Sequence, residues 1–156
     1  MSVTASSALL GRPTVLRAII AGGSVAAALD LTSAFITFGW GVPQGIASGL
    51  LGARSFQGGI ATWILGVVLH FLIAYSAASV YCLASWKLPF LKEYFIVCGL
   101  FYGIAVYLVM QIIVLPMSAV PFRTGTFTLR ELVQGLLAHM FLIGLPISFS
   151  LWKFGR

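Results

Sequence analysis

The chain has 156 residues, of which 60% are hydrophobic and 8% are charged. A soluble domain carries about a quarter charged residues, so this composition excludes a soluble enzyme, a nucleic-acid-binding module and a disordered tail. The net charge of +6 does not restore a nucleic-acid partner, because the nine basic residues stand at the ends of apolar runs and form no cluster.

One domain is expected over residues 1–156. The expected fold is all-α, a polytopic membrane four-helix bundle. A helix crosses a bilayer with about 20 residues, and four runs meet that length. Each is continuously apolar, without the alternation of a membrane barrel.

The first predicted span covers about Val15 to Gly39. Arg12 and Arg17 flank its start, and Ala26-Ala27-Ala28 resembles a signal-cleavage stretch. The apolar run continues through Phe35, Ile36 and Phe38, longer than a signal core, so an uncleaved anchor helix is expected.

The first outer connection, from Val42 to Arg54, is too apolar for a hydrated loop and too short to span. Pro43 suits the start of a short helix. That helix either lies at the bilayer surface or re-enters as a half-helix.

The second span covers about Gly59 to Ala84 and the third about Tyr94 to Leu115, with Pro116 expected to end it. Pro116, Pro121 and Gly125 mark an outer loop. The fourth span covers about Leu129 to Trp152, with a kink expected at Pro146. Lys92-Glu93 and Arg130-Glu131 read as solvated helix-start charges. The connections leave no room for an extramembrane domain.

Basic residues set the orientation. The N-terminal segment, middle loop and C-terminus hold Arg12, Arg17, Lys87, Lys92, Lys153 and Arg156, whereas the other two loops hold Arg54, Arg123 and Arg130. Six against three predicts both termini in the cytoplasm. Trp40 and Trp63 then fall at the outer boundary, and Trp86 and Trp152 at the inner one.

Ionisable groups inside a bilayer cost a few kcal/mol and usually face partners. Asp30, His70 and His139 are the three in the spans, and the third span adds Tyr107 and Gln111. At about 1.5 Å rise per residue, Asp30 lies roughly 14 Å deep, His70 roughly 17 Å and His139 roughly 15 Å. Tyr107 comes out at roughly 12 Å and Gln111 at roughly 6 Å. The helical stripes agree. Asp30 shares a face with Gly23, Ala26, Ala27 and Ala34; His70 with Gly66, Ala74, Ala77 and Tyr81. Gly99, Gly103, Tyr107 and Gln111 follow at spacing four, as do Gly135, His139 and Ile143. Small residues permit close helix contact, either within the chain or in a homodimer. One central polar site is therefore expected.

Gly66 to Phe71 also echoes Gly135 to Met140, and both helices end near a Trp-Lys pair. A tandem arrangement would set His70 opposite His139. Cys82 and Cys98 show no metal-ligand spacing and read as packed free thiols, with a bridge across the helical hairpin as the alternative.

Three readings of the polar centre follow. A carboxylate beside histidines is the equipment of proton-linked transport or a proton pathway. Two level histidines suit the axial positions of a haem b, and His70, His139 and Asp30 together are candidate metal ligands in a redox component. A structural membrane subunit, alone or with a partner subunit, needs the cluster only to fix helix register. Ser76 and Ser79 stand in no nucleophile motif, so the chain reads as non-enzymatic.

The stretch from Gln44 to Gly52, Gly58-Gly59 and the run from His70 to Ala74 resemble a family of small four-span bacterial inner-membrane proteins of unassigned function. Tyr102-Gly103, Val114-Leu115-Pro116 with Ser118, and Gly135 to His139 extend that resemblance over nearly the whole chain, with Gln111 a departure from the pattern. The resemblance implies a bacterial inner-membrane location and four spans, and it transfers no catalytic residue.

Overall fold

The computed structural model describes residues 4–121 and 128–155. Arg123, Gly125, Arg156 and the side chain of Arg12 lie outside the described residues. Regular structure among the described residues is entirely helical. Helix α1 is Thr4–Phe38 and α2 is Val42–Leu51, followed by a 3-10 turn over Gly52–Gln57. Helix α3 is Gly59–Ala84 and α4 is the single turn Phe90–Glu93. Helix α5 is Phe95–Met117 and α6 is Leu129–Phe154. Four segments are long and apolar enough to cross a membrane: Thr14–Phe38, α3, α5 and α6. The chain is thus a multi-pass membrane protein in architecture, with apolar side chains such as Ile20, Val68, Leu72, Phe101 and Ile112 turned outward.

Helix α1 packs on α3 and on α6, and α6 packs on α5. Adjacent glycines let α1 approach two helices at once. A side chain at Gly22 would press on Ile147 and Ser150 of α6, and one at Gly23 would overlap the Tyr75 ring of α3. The core between them is built from Ala18, Ala26, Ala78, Cys82, Ile143, Ile147 and Leu151. The alanines let the helices approach closely, and because lipid tails are as apolar as any core, close van der Waals packing drives helix association. Helices α3 and α5 touch chiefly through the Tyr102 hydroxyl, which donates to the Ala77 carbonyl at 2.7 Å, and through the Tyr81–Tyr102 ring contact.

Pro116 does not end the third long helix. The helix continues to Met117 because Met110–Val114 adopts the wider π form, in which the Leu115 N–H donates to Met110. Pro146 is accommodated the same way: His139–Gly144 is π-helical and the Leu145 N–H donates to Met140. A proline offers no N–H to the carbonyl four residues back, and the i→i+5 pattern re-pairs the turn before it.

The tryptophans cluster by end. Phe35, Trp40 and Trp63 form a mutual cluster, with Trp40 4.8 Å from Phe35 and 5.1 Å from Trp63 and the other two rings 6.1 Å apart, and the Trp63 indole N–H donates to the Trp40 carbonyl at 3.0 Å. At the other end Trp152 stacks on Phe95 at 5.0 Å. Cys82 and Cys98 are free thiols, so the hairpin carries no bridge between them. Lys92 is not merely solvated: its ammonium donates to the Gly155 carbonyl at 3.0 Å and ties α4 to the end of α6.

Candidate functional site

The first half of the polar centre lies between α1 and α3. His70 Nε2 is 3.7 Å from Asp30 Oδ2 and 3.1 Å from the Ala27 carbonyl oxygen. A carbonyl only accepts, so Nε2 carries the proton and donates to Ala27. The same N–H faces the carboxylate at a longer distance. The side chains of His70 and Asp30 keep 14% and 17% exposure, so the pair is not sealed. Lower on the same interface, Ser24 Oγ and the Tyr75 hydroxyl hydrogen-bond at 2.8 Å.

The second half lies between α5 and α6. His139 Nδ1 donates to the Gly135 carbonyl of its own helix at 2.9 Å, which leaves Nε2 as the acceptor of the neutral ring. The ring meets Tyr107 edge-on, with centroids 5.2 Å apart. Gly135 makes room for Tyr107, since a side chain there would press on the phenol ring. Gly103 does the same for the backbone of His139, whose carbonyl lies where a methyl would start. Gln111, in the π segment of α5, has its carbonyl oxygen buried with no hydrogen-bond partner among the described residues.

The two halves are neighbours, because Asp30 and His70 are both close enough to act electrostatically on His139. The structure therefore brings Asp30 to His70 and Tyr107 to His139, but each histidine ring has its own partner. The Ser24–Tyr75 pair was not legible in the sequence. Ser24 reads as one more small residue after Gly22-Gly23, and Tyr75 falls five residues from His70, off its stripe.

The geometry bears on the cofactor readings. Among the described residues no three His, Cys, Asp or Glu side chains form a group able to hold a metal ion. His70 directs Nε2 at the Ala27 carbonyl of α1, and His139 packs edge-on against Tyr107. The haem and metal readings gain nothing from this arrangement.

Helix α2 closes the site from one end. Its N-terminal Pro43 sits on Gly66, one helical turn from His70, and Ala47 and Ser48 are fully buried. Gln44 donates to the Gly59 carbonyl at 3.4 Å, and the Gly49 carbonyl accepts from the Ala119 amide at 2.9 Å, tying α2 to the end of α5. Comparison with family models, curated proteins and solved structures finds no match to the chain.

Proposed function

We propose that the protein is a bacterial inner-membrane component in which Asp30 and His70 exchange a proton as part of a transport or relay path. The carrying observation is the 3.7 Å approach of Asp30 Oδ2 to His70 Nε2 between two apolar helices, with both side chains still accessible. Taking a proton at Nδ1 makes His70 an imidazolium, which passes its Nε2 proton to Asp30 Oδ2 and is left as a neutral ring protonated at Nδ1, with Asp30 as the neutral acid that hands the proton on. His139 lies within electrostatic range and responds to that change of charge. The bundle is oriented with both termini in the cytoplasm, as the basic residues favour. Helix α2 is a re-entrant half-helix in this reading. Pro43 reaches Gly66, seven residues into α3 and so about 10 Å from its start.

Reconstitution in vesicles containing a pH-sensitive dye tests the proposal. An imposed proton gradient should dissipate faster with the protein present, and Asp30→Asn and His70→Gln should each remove most of that flux. Flux equal to the unaltered protein in both variants overturns it. Reporter fusions at the two termini test the orientation, and a periplasmic C-terminus contradicts it.

A structural reading has its own support. The His70–Ala27 and Ser24–Tyr75 hydrogen bonds both tie α1 to α3. Interhelical bonds of this kind average about 0.6 kcal/mol in membranes. If Asp30→Asn and His70→Gln lower thermal stability and the parent shows no flux, the cluster is a clamp.

A further inference from the structure

Both π segments run into a proline, and each proline deprives one main-chain carbonyl of its helical donor. In α5 the Leu115 N–H reaches Met110, so the next acceptor in that register is the Gln111 carbonyl. Its donor would be Pro116, which has no N–H. In α6 the Leu145 N–H reaches Met140, and Pro146 leaves the Phe141 carbonyl in the same position. The two places differ in chemistry. Phe141 is an apolar side chain, 50% exposed. Gln111 adds a second carbonyl on its side chain, and that oxygen is buried with no hydrogen-bond partner among the described residues. The Ser118 hydroxyl, at the end of the helix, is used on the Leu115 carbonyl at 2.7 Å.

The two acceptors of Gln111 face opposite ways along α5. Helical carbonyls point toward the C-terminus, which is the near end of α5, six residues and about 9 Å away. Helical side chains lean toward the N-terminal turn, which here is the turn of Tyr107. Tyr107 meets the His139 ring at 5.2 Å, and Asp30 and His70 act on His139 electrostatically. Gln111 therefore stands between the end of α5 and the polar centre, with an acceptor toward each. Unpaired carbonyls are costly in an apolar span, and water is the usual source of the missing donors.

We infer that Gln111 is the outer port of the proton path, where its two carbonyls bind water at the level of the π segment. A metal cation demands more oxygens than one residue supplies, whereas a water needs one acceptor for each O–H and keeps its own oxygen free. A proton taken up from the outer side makes such a water hydronium. Passing that proton to the acceptor nitrogen of His139 leaves neutral water and an imidazolium. The water site rests on the hydrogen-bond register of α5, and its role as a port rests on the proton reading above.

Two measurements on the full chain test it. In detergent, with the glutamines labelled with nitrogen-15, the Gln111 side-chain amide is the signal missing from Gln111→Met. It should show a contact at the water frequency with opposite signs in the laboratory and rotating frames, the mark of bound water. The exposed Gln134 amide should show none. In vesicles acidified on the outer side, Gln111→Met should lower proton flux about tenfold, the order expected for removing one hydrogen bond to the moving group. Gln111→Glu keeps a carbonyl acceptor and should keep most of the flux. A Gln111 amide without bound water overturns the port, and so does flux in Gln111→Met equal to the parent. A parent with bound water at Gln111 and no flux defeats the proton reading, and the port with it, and leaves a hydrated π turn. Should Gln111→Met fail to fold, Gln111→Glu supplies the assignment, since it also lacks the amide, and the water contact of the parent decides.

Discussion

The Pro43 carbonyl oxygen occupies the space in which a side chain at Gly66 would begin. That contact seats α2 against α3 one turn from His70, and it tolerates no side chain larger than hydrogen. Gly66→Ala should therefore lower stability by about 1–3 kcal/mol, the range for overpacking a tight contact. Gly45, in the same short helix, has nothing within 4 Å of its would-be methyl. Gly45→Ala should leave stability unchanged or raise it by up to about 1 kcal/mol through helix propensity. Thermal unfolding in detergent, followed by loss of monodisperse protein, separates the two. Equal midpoints for Gly66→Ala and the parent would mean that α2 is not held on α3.

Gly103 and Gly144 hold the other half of the site in the same manner. A methyl at Gly103 would overlap the His139 carbonyl, and one at Gly144 would overlap the Gly99 carbonyl. Backbone cannot rotate aside as a side-chain end can, so α5 and α6 must separate. Each alanine substitution should lower the thermal midpoint more than Gly49→Ala, whose nearest neighbour is Ser118 Cβ at an ordinary 3.7 Å. Gly103→Ala should also displace His139 from Tyr107. If His139 belongs to the proton path, the variant should lose flux in the vesicle assay although Gly103 itself carries no proton.

The long helices were legible because their signal is a sum over many residues. The second span was predicted over residues 59–84 and is found there, bounded by Gly58-Gly59. The third was predicted to stop at Leu115 and instead continues to Met117, because a π segment supplies the hydrogen bonding that Pro116 removes. No side-chain pattern announces that adjustment. Of the stripe Gly99, Gly103, Tyr107 and Gln111, the first three are buried and Gln111 is partly exposed, since small residues and period four set both packing and burial up to the π segment. Asp30 and His70 were expected together and are together. The partner of His139 was not legible. Whether its ring turns to His70 or Tyr107 depends on the azimuth of α6, which is set by Gly103 and Gly144 meeting backbone and not by residues near His139 in sequence.

The cysteines give a labelling contrast. Cys82 is fully buried in the core, whereas Cys98 is partly exposed and its thiol contacts the Phe90 carbonyl at 3.7 Å. A thiol reacts only where reagent reaches it. A small membrane-permeant maleimide should modify Cys98 well before Cys82, as read by mass spectrometry of Cys82→Ser and Cys98→Ser. Both single variants should run as the parent does on a non-reducing gel. A mobility change that appears only in the parent under oxidant would show the two sulfurs close enough to bridge.

The start of α6 offers a local test outside the polar centre. Thr128 accepts from the Glu131 amide at 3.3 Å, while Glu131 Oε2 accepts from the Thr128 amide and hydroxyl, both at 2.8 Å. This reciprocal cap satisfies amides that the first helical turn leaves unpaired. Thr128→Ala removes the acceptor for Glu131 and should cost about 1 kcal/mol. Because that cost falls on the opening of one turn, amide exchange at Glu131 should speed up about fivefold while the global midpoint moves little. Thr128→Ser restores the hydroxyl and should restore slow exchange. Glu131→Gln keeps the carbonyl acceptor and should change exchange less than Thr128→Ala. Exchange that is the same in Thr128→Ala and Thr128→Ser would mean the hydroxyl does not hold this turn, and that the helix start depends on packing against α5 instead.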